Sequence, residues 1–390
     1  MHLLEAEHCH LPDPVMIDEY NKIHKEINRY SIHDISKQHL MLNARLTELG
    51  EILQIEHKYF RPSRFMCEFC SEIYHAHERL NLDHNADGYW CDSCDCFNYY
   101  SNIRSSKDRF ILILEDAAAP AIHLPKQIKK KLSAQLSPLR YAGGKSKIVQ
   151  YLYSHIQKSK RKVLYSPFAG GASFELALLH AGVIDHLHLN DLDYGIYSLY
   201  WAIQNMPSEL IYRINNILPT RTDYFTAQQH IKVGFKGMDM IEAAWDTLVV
   251  NRLAYSGIAK ANPLGGKNGT QEQLLARWNP NSLTNRIHNI ADLADKITLY
   301  CEDAYGFVQE AYWDTEAHIF LDPPYVKKGQ ALYNHYYTER DHSKLAFLLN
   351  ELFKGMPGAD IIVTYDFDQL IIDSYEQQTE THIIGRKYSI

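Results

Sequence analysis

A glycine-rich turn between a predicted strand and a predicted helix constrains the fold of this 390-residue chain more than any other feature. The apolar strand at residues 163–165 runs into a turn at 166–173, and an apolar helix follows at 174–180. Glycines in such a turn let a ligand approach the backbone closely, and the start of the helix adds a positive dipole end. A second apolar strand at 186–189 completes the unit. This pattern predicts an open α/β sheet with parallel strands.

An acidic residue, Asp191, lies at the end of the second strand, about twenty residues beyond the turn. In nucleotide-binding α/β sheets an acid at this position hydrogen-bonds the ribose hydroxyls. The turn lacks the Gly-Lys-Ser/Thr ending of a phosphate-binding loop. The two strands therefore predict a nucleoside site at the carboxyl edge of the sheet.

A later strand at 319–321 runs directly into the tetrapeptide Asp322-Pro323-Pro324-Tyr325. The Asp322 carboxylate and the Pro323 carbonyl both accept hydrogen bonds, and the two prolines keep that carbonyl out of any strand ladder. Fixed acceptors of this kind suit the N–H bonds of a flat, amino-bearing base, and the ring of Tyr325 offers it a stacking face. The tetrapeptide therefore predicts a catalytic site for an exocyclic amine.

Taken in this order, residues 138–390 resemble the Dam-type, alpha-group DNA adenine N6-methyltransferases. The resemblance is carried by the Ala-Gly-Gly-Lys segment at 142–145, the Pro-Phe-Ala-Gly-Gly loop at 167–171, the Asn-Arg segment at 251–257 and the tetrapeptide. It implies a Rossmann-like sheet that uses S-adenosyl-L-methionine (SAM), with a helical and loop target-recognition insert at about 205–300. The implied activity is site-specific methyl transfer to the N6 amine of an adenine flipped out of double-stranded DNA.

The resemblance also implies three groups of site residues. The catalytic group is Asp322, Pro323, Pro324 and Tyr325. The cofactor-binding group is Tyr141, Gly143, Gly144, Lys145, Pro167, Phe168, Gly170, Gly171, Asp191, Asp303 and Asp322. The predicted DNA contacts are Asn251, Arg252 and Tyr255, together with Lys267, Asn268 and Arg277 in and after a polar, glycine-rich loop whose side chains offer donors to base edges.

Three positions depart from the family pattern. Ser166 stands where many relatives carry an acidic residue, which alters a polar contact expected near the methionine part of the cofactor. Residues 364–366 read Thr-Tyr-Asp where relatives often have Ser-Asn, and the sequence ends at Ile390 where relatives usually continue for another strand. None of these departures removes a proposed catalytic group.

Two alternative functions stay open at this point. Nearly the same chemistry serves methylation of the exocyclic amine of cytosine or of an RNA adenine, although the aspartate that opens the tetrapeptide argues against the Asn-Pro-Pro-Tyr enzymes. The other alternative is a non-catalytic DNA-binding homologue, which SAM binding would distinguish. The sequence does not decide between restriction–modification, phage and regulatory roles.

Two Cys-x-x-Cys pairs dominate the N-terminal third. Cys67 and Cys70 are separated from Cys91 and Cys94 by 20 residues, which is the spacing of a four-thiolate Zn²⁺ site. A disulfide framework is not expected in a chain without a signal peptide. We therefore expect a zinc-ribbon-like module at 61–112 with a structural Zn²⁺ on these four cysteines. Replacement of one thiolate stays open, and the alternative ligands are Cys96, His75, His77 and His84.

The remaining segments complete the predicted organisation. Residues 1–60 have apolar positions at helical spacing, and 113–137 indicate a linker before the methyltransferase domain at 138–390. We see no 18-residue apolar run and no signal peptide, so we expect a soluble, cytoplasmic chain without a membrane partner. The net charge of −7 argues against a general polyanion binder but permits a local basic groove. The oligomeric state stays open between a monomer and a dimer formed through the N-terminal helices.

Overall fold

The computed structural model of the chain describes residues 65–66, 73–74, 88–90, 96–99, 108–122, 124, 127–133, 135–140, 143–326, 336–355 and 358–385. The predicted helices of 1–60, the four predicted zinc ligands and Tyr141 lie outside these residues. The chain divides into two compact units. One contains residues 1–108 and 347–358, and the other contains residues 109–346 and 359–390.

Two short antiparallel strand pairs are described in the first unit. Strand β1 (Phe65–Met66) pairs with β2 (Ile73–Tyr74). Strand β3 (Gly88–Trp90) pairs with β4 (Phe97–Tyr99). In sequence, one Cys-x-x-Cys pair falls between β1 and β2, and the other falls between β3 and β4.

A seven-stranded sheet is the frame of the second unit, and all its neighbouring strands are parallel. This arrangement confirms the predicted α/β class. The strands are β5 (Phe110–Ala121), β6 (Val163–Ser166), β7 (His186–Asn190), β8 (Ile297–Tyr300), β9 (Ala317–Leu321), β10 (Asp360–Asp366) and β11 (Glu380–Gly385). Their order across the sheet is β11-β5-β10-β9-β6-β7-β8.

The chain order creates a crevice beside β6. Strands β6, β7 and β8 progress towards one edge, and β9 then returns to the other side of β6. In open parallel sheets, ligands bind at the carboxyl ends of the strands where the order reverses in this way. The glycine-rich turn follows β6 and the tetrapeptide follows β9, so the two motifs meet at this crevice.

The central strand β9 is apolar except for one histidine. All five of its residues are buried, as expected for a parallel strand that is covered on both faces. The polar member of this strand, His318, is 2% exposed, and its Nδ1 lies 3.4 Å from an Asp360 carboxylate oxygen on the adjacent strand.

Strand β5 corrects the predicted boundary between the zinc module and the linker. The sequence predicted a module that ended at 112 and a linker from 113 onwards, whereas β5 runs without a break from Phe110 to Ala121. It lies between β10 and β11, with Phe110 opposite Ile361 and Ile111 opposite Glu380. The physical reason is the apolar run at 110–114. All five of its residues are buried, so this segment lies inside the sheet and not in an exposed linker. The acidic and alanine-rich residues that follow it indicated a linker instead.

Helices connect the strands and form most of the predicted insert. The insert between β7 and β8 is largely helical, as expected for the target-recognition region. Within the described residues, no helix has the length and apolar character needed to cross a membrane. The helices are α1 (Val149–Ile156), α2 (Ser173–His180), α3 (Tyr194–Asn205), α4 (Pro207–Asn216), α5 (Arg221–Lys232), α6 (Met240–Leu253), α7 (Gln271–Leu274), α8 (Pro280–Ala291), α9 (Ala304–Tyr312), α10 (Glu339–Gly355) and α11 (Gln369–Ser374).

Candidate active site

A pocket lies at the crevice between the loops that follow β6, β7 and β9. Its empty volume, which includes space open to solvent, is about 850 Å³. Most of the predicted cofactor residues meet there. Those that line the pocket are Gly144, Lys145, Pro167, Phe168, Gly170, Gly171, Asp191, Asp303 and Asp322.

The glycine-rich turn is fixed from two sides. Gly170 has a φ of 46°, in the left-handed region that favours glycine. Its N–H donates to Oδ2 of Asp191 at 2.7 Å, and its carbonyl accepts from the hydroxyl of Tyr200 at 3.2 Å. The turn therefore presents a preformed backbone surface to a ligand at the start of α2.

Asp191 is suited to hold a pair of hydroxyls. Its Oδ1 accepts the backbone N–H of Asp193 at 2.9 Å, and its Oδ2 accepts that of Gly170 at 2.7 Å. Burial, and then the charge of Asp193, raise the pKa of Asp191 to about 7, against the opposing effect of the two N–H bonds. Each carboxylate oxygen retains further acceptor capacity, which suits a ribose diol.

Asn190 ties together the ends of three strands, a role that the sequence reasoning missed. The side chain is fully buried. Its amide nitrogen donates to the carbonyls of Pro167 and Glu302, both at 3.0 Å, and its oxygen accepts from the N–H of Glu302 at 2.9 Å. The only signal for it in the sequence was a polar residue at the end of an otherwise apolar strand.

Asp322 has one oxygen engaged and one oxygen available. Oδ1 accepts from Nζ of Lys145 at 2.5 Å and from Oγ1 of Thr364 at 2.9 Å. Oδ2 makes no hydrogen bond with any described residue. The side chain is 19% exposed, so the carboxylate is fixed in place and still open to a ligand.

Residues 364–366, one of the departures from the family pattern, hold the loop that carries the tetrapeptide. Thr364 is fully buried and supplies the hydroxyl that binds Asp322. Asp366 accepts the backbone N–H of Val326 at 3.1 Å, directly after the tetrapeptide. Both positions lie on β10, next to β9, and the parallel pairing of these strands brings their ends to the same edge of the sheet.

Tyr325 lies inside the protein and not on an open surface. It is 3% exposed, its hydroxyl donates to the carbonyl of Gly143 at 3.3 Å, and Lys145 Nζ lies 5.4 Å from its ring centroid. A Cβ on Gly143 would come within 2.5 Å of the tyrosine hydroxyl, so only glycine fits there. In this arrangement the ring supports Lys145. The aromatic residues that line the pocket are Phe168, Tyr337 and Phe320, and the ring centroids of Phe168 and Tyr337 are 5.6 Å apart.

Glu175 places a buried carboxylate in the pocket next to Ser166. The Ser166 hydroxyl donates to Oε1 of Glu175 at 2.8 Å, and both residues are almost fully buried. Burial raises the pKa of Glu175 to about 7, hydrogen bonds oppose that rise, and the charge of Asp322 adds to it. The carboxylate that the family pattern places at position 166 is thus supplied here by helix α2.

The described pocket lining is strongly acidic. Lys145 is its one basic residue, and that ammonium is already paired with Asp322. Such a lining favours a cation and disfavours a polyphosphate, which suits the sulfonium and ammonium groups of SAM. The acidic residues of the lining are Glu175, Asp191, Asp193, Glu302, Asp303 and Asp322.

Two of the predicted DNA contacts are internal side chains, which corrects their assignment. Asn251 is 8% exposed, and its amide binds the backbone N–H and carbonyl of Arg140 at 2.7 and 2.9 Å and the carbonyl of Gly257 at 3.2 Å. Arg252 is also 8% exposed and donates to the carbonyl of Arg277 at 2.8 Å. Because both side chains are buried and bind backbone groups, Asn251 those of Arg140 and Gly257 and Arg252 that of Arg277, they do not present donors to a base edge.

The other four predicted DNA contacts, Tyr255, Lys267, Asn268 and Arg277, are exposed. The loop that carries Lys267 and Asn268 is held from inside by Arg221. That guanidinium donates to four loop carbonyls, those of Leu264, Gly266, Gly269 and Thr270. The loop therefore has a defined shape that directs its polar side chains outwards.

Four arginines lie close together in and beside the insert. Burial lowers the pKa of Arg252 to about 10, and the charges of Arg286, Arg140 and Arg277 lower it further. Within the described residues, none of the four forms an ion pair with a carboxylate. This concentration of positive charge lies in a chain whose net charge is −7.

A separate group of possible metal ligands lies near the edge strand β11. His155, Glu380 and His382 have ligand atoms within 4.8 Å of one another. The carboxylate of Glu380 is already bound to Arg109 at 2.7 Å, and this positive neighbour opposes the binding of a cation. The group does not correspond to the predicted zinc ligands.

Comparison with known proteins identifies the family. The sequence model of the D12 class N6 adenine-specific DNA methyltransferases matches residues 141–390. This match confirms the resemblance found in the sequence and covers the glycine-rich turn, the insert and the tetrapeptide.

Three curated proteins are similar to this chain. The type II methyltransferase M.MjaIII of Methanocaldococcus jannaschii is 21% identical over 59% of this chain and 84% of its own length. The type II methyltransferase M.CviBI of Paramecium bursaria Chlorella virus NC1A is 24% identical over 48% of this chain and 68% of its own length. The DNA N-6-adenine-methyltransferase of Escherichia phage P1 is 23% identical over 61% of this chain and 31% of its own length.

Proposed function

Because the chain belongs to the D12 class N6 adenine-specific DNA methyltransferases, we propose that its crevice pocket binds SAM and that Asp322 holds the target amine. The observation that carries this assignment is the state of the Asp322 carboxylate. One oxygen is fixed by Lys145 and Thr364, while the other has no partner among the described residues. An acceptor that is already oriented needs no reorganisation during the reaction, and this is the main source of electrostatic catalysis.

The pocket residues divide between the parts of the cofactor. Asp191 accepts hydrogen bonds from the ribose hydroxyls, and the backbone at Gly170 and Gly171 lies against the cofactor. Glu175 is the buried acid suited to the methionine ammonium, since a cation compensates the burial of its charge. Asp303 caps helix α9 through the N–H of Tyr305 at 2.9 Å, which leaves its second oxygen to accept from the adenine amine of the cofactor.

The chemistry is an in-line methyl transfer. Bound SAM supplies an electrophilic methyl group on its sulfonium. The amine of the target adenine is a weak nucleophile because its lone pair is delocalised into the ring, and two acceptors, Oδ2 of Asp322 and the carbonyl of Pro323, favour its pyramidal form. As the new C–N bond forms and the C–S bond breaks, the amine loses one proton to solvent, with Asp322 orienting it.

The basic residues of the insert are consistent with double-stranded DNA as the substrate. The exposed Lys267, Asn268 and Arg277 are available to base edges and phosphates. The arginine group supplies positive potential next to them. Extrusion of the target base from the duplex then brings its amine to Asp322. Two of the similar proteins are named type II methyltransferases, which supports a role for this chain in restriction–modification.

We also propose a structural Zn²⁺ site formed by Cys67, Cys70, Cys91 and Cys94. Each Cys-x-x-Cys pair falls in sequence between the strands of an antiparallel pair, which is the arrangement of a zinc ribbon. A four-thiolate site is closed and has no position for a substrate. The metal would therefore stabilise the N-terminal module without taking part in methyl transfer.

The test is methylation of DNA by the purified protein. The protein is incubated with isotopically labelled SAM and mixed-sequence duplex DNA, and the product nucleosides are identified by mass. N6-methyldeoxyadenosine is the expected product, and Asp322→Ala is the matched control without activity. Label in cytosine, or SAM binding without label in DNA, would overturn the substrate assignment. A failure to bind SAM would support a non-catalytic homologue.

A further inference from the structure

Glu115 is a buried carboxylate at the same edge of the sheet as the catalytic tetrapeptide. It lies on β5, opposite Asp366 of β10 and Ile384 of β11. Its side chain is 0% exposed, and its backbone carbonyl accepts the N–H of Phe367 at 3.0 Å. Strands on both sides thus fix the position of this carboxylate. Glu115 precedes the part of the chain that the family model matches, which begins at residue 141.

The carboxylate lies against the lysine that binds Asp322. Oε1 of Glu115 is 3.2 Å from Nζ of Lys145, and the lysine side chain is 2% exposed. The same ammonium donates to Asp322 at 2.5 Å and to the carbonyl of Gly143 at 3.1 Å. The hydroxyl of Tyr325 also lies within hydrogen-bond distance of the ammonium, at 3.4 Å. Lys145 is therefore held between two carboxylates, one of which faces the pocket.

Stability alone is a poor reason for this arrangement. A buried ion pair loses the hydration of both groups, and replacing such a pair with apolar residues of similar size is often neutral or stabilising. The electrostatic effect on Asp322 is more specific. An unopposed Lys145 charge would draw electron density from the Asp322 carboxylate and weaken Oδ2 as an acceptor, whereas a second carboxylate on the lysine offsets that charge.

We propose that Glu115 is a positioning residue that holds Lys145 and thereby sets the orientation and acceptor strength of Asp322 during methyl transfer. This inference rests on the proposed function of Asp322. It extends the active site to a strand that precedes the family-matched region.

The first test is the Glu115→Gln variant, with Asp116→Asn as the matched control. Both remove one negative charge, and Asp116 is the adjacent, partly exposed residue, whose carboxylate accepts the N–H of Ala118. We expect Glu115→Gln to lower kcat about tenfold or more while the Kd for SAM changes by less than about threefold, and Asp116→Asn to retain normal kcat. A kcat equal to that of the wild type, or a parallel loss of kcat and SAM affinity, would overturn the proposal.

A double-mutant cycle separates an action through Lys145 from a general structural effect. Lys145→Met removes the ammonium, and the double variant Glu115→Gln/Lys145→Met removes both charges together, so that no unpaired charge is left buried. If Glu115 acts through Lys145, the second substitution causes no further loss of kcat in the Lys145→Met background. Multiplied losses would contradict the inference, because independent residues give additive free-energy effects.

Two further outcomes keep the test decisive. If Glu115→Gln does not fold, the Glu115→Asp variant takes its place, because it withdraws the carboxylate by one methylene. A kcat below that of the wild type then supports the proposal, and an unchanged kcat overturns it. Failure of the proposed function is separately visible. An active Asp322→Ala enzyme would refute the role of Asp322 itself, whereas an inactive Asp322→Ala enzyme with a fully active Glu115→Gln enzyme would refute only the role of Glu115.

Discussion

Nζ of Lys145 lies 2.5 Å from Oδ1 of Asp322, and Oδ2 of the same carboxylate makes no hydrogen bond with any described residue. The lysine is 2% exposed and the aspartate is 19% exposed. The ion pair therefore has a buried end at the lysine and an open end at Oδ2 of Asp322. The sequence predicted both residues, but it assigned Lys145 to the cofactor and did not predict its contact with Asp322.

Replacement of Asp322 should separate catalysis from folding. We expect Asp322→Ala to abolish methylation, and Asp322→Asn to lower kcat by about 10²–10³-fold, because the neutral amide is a weaker acceptor. Lys145 keeps its contact with Glu115 in both variants, so the free energy of unfolding should change little. Single-turnover methylation and denaturant unfolding measure the two quantities. Near-full turnover of Asp322→Ala would refute the assignment.

The binding of SAM should weaken as the pH falls below 7. Glu175 and Asp191 both have a pKa raised to about 7, chiefly by burial. In the proposed site the cofactor ammonium and ribose hydroxyls bind the ionised carboxylates, so protons held by the free protein at lower pH must leave upon binding. We expect the logarithm of the association constant to rise with pH up to about pH 7, with a limiting slope near two, and to level off above about pH 8.

The Glu175→Gln variant tests how much of the pH dependence of SAM binding comes from one carboxylate. Its amide does not titrate, so the limiting slope should fall to about one, which is the contribution of Asp191. Calorimetric titrations of SAM between pH 5.5 and 8.5 measure it. An unchanged slope would show that Glu175 does not lose a proton when SAM binds.

Asn251 and Lys267 should behave differently although the sequence predicted a DNA contact for both. Asn251→Ala removes three hydrogen bonds to backbone groups and should lower the free energy of unfolding by about 1–3 kcal/mol. Lys267→Ala alters an exposed side chain, so it should leave stability unchanged and reduce the salt dependence of DNA binding by about one unit of slope. Thermal unfolding and DNA titrations across salt concentrations make the comparison. An Asn251→Ala protein with normal stability would restore a role in DNA contact.

Substitutions at Tyr325 test whether its ring contributes to the catalytic step. Tyr325→Phe removes only the hydroxyl that lies 3.3 Å from the Gly143 carbonyl, whereas Tyr325→Ala removes the ring as well. We expect Tyr325→Ala to lose rate much more than SAM affinity, with Tyr325→Phe intermediate. Equal losses of rate and affinity in Tyr325→Ala would argue against any role of the ring in the catalytic step.

The proposed zinc site should be separable from catalysis. We expect about one Zn²⁺ per chain by elemental analysis, and a reduced content in Cys67→Ser and Cys91→Ser. The kcat of the folded, metal-depleted protein should remain near that of the wild type, because the closed site supplies no Lewis acid to the reaction. Normal zinc content in both variants would exclude these cysteines as ligands.

The sequence predicted the part of the fold that depends on local pattern. The strand–turn–helix unit around Gly170 and the strand that runs into Asp322 were identified because apolar runs and turn residues carry that information within a short window. The same reasoning placed Asp191 and Asp322 at the carboxyl edge of one sheet. The pocket that they share follows from the parallel order of the strands.

The sequence analysis missed residues that reach the site only because distant segments of the chain pair in the sheet. Thr364 and Glu115 reach the active site because β10 and β5 are neighbours in the sheet, and no local pattern encodes that adjacency. Glu175 appeared as one polar position in an apolar helix. Asn251 was assigned to DNA from the family resemblance, and the sequence does not indicate which face of a helix is covered.

The place of β5 has a consequence for the order in which the protein is made. This strand leaves the ribosome early, yet both of its partners, β10 and β11, come from the last part of the chain. Its apolar residues from Phe110 to Leu114 must wait for the final strands before they are covered. Pairing at such long sequence separation is slow, and it leaves an unpaired strand at risk of aggregation. Nascent chains that stall before β10 should therefore be the species most dependent on chaperones.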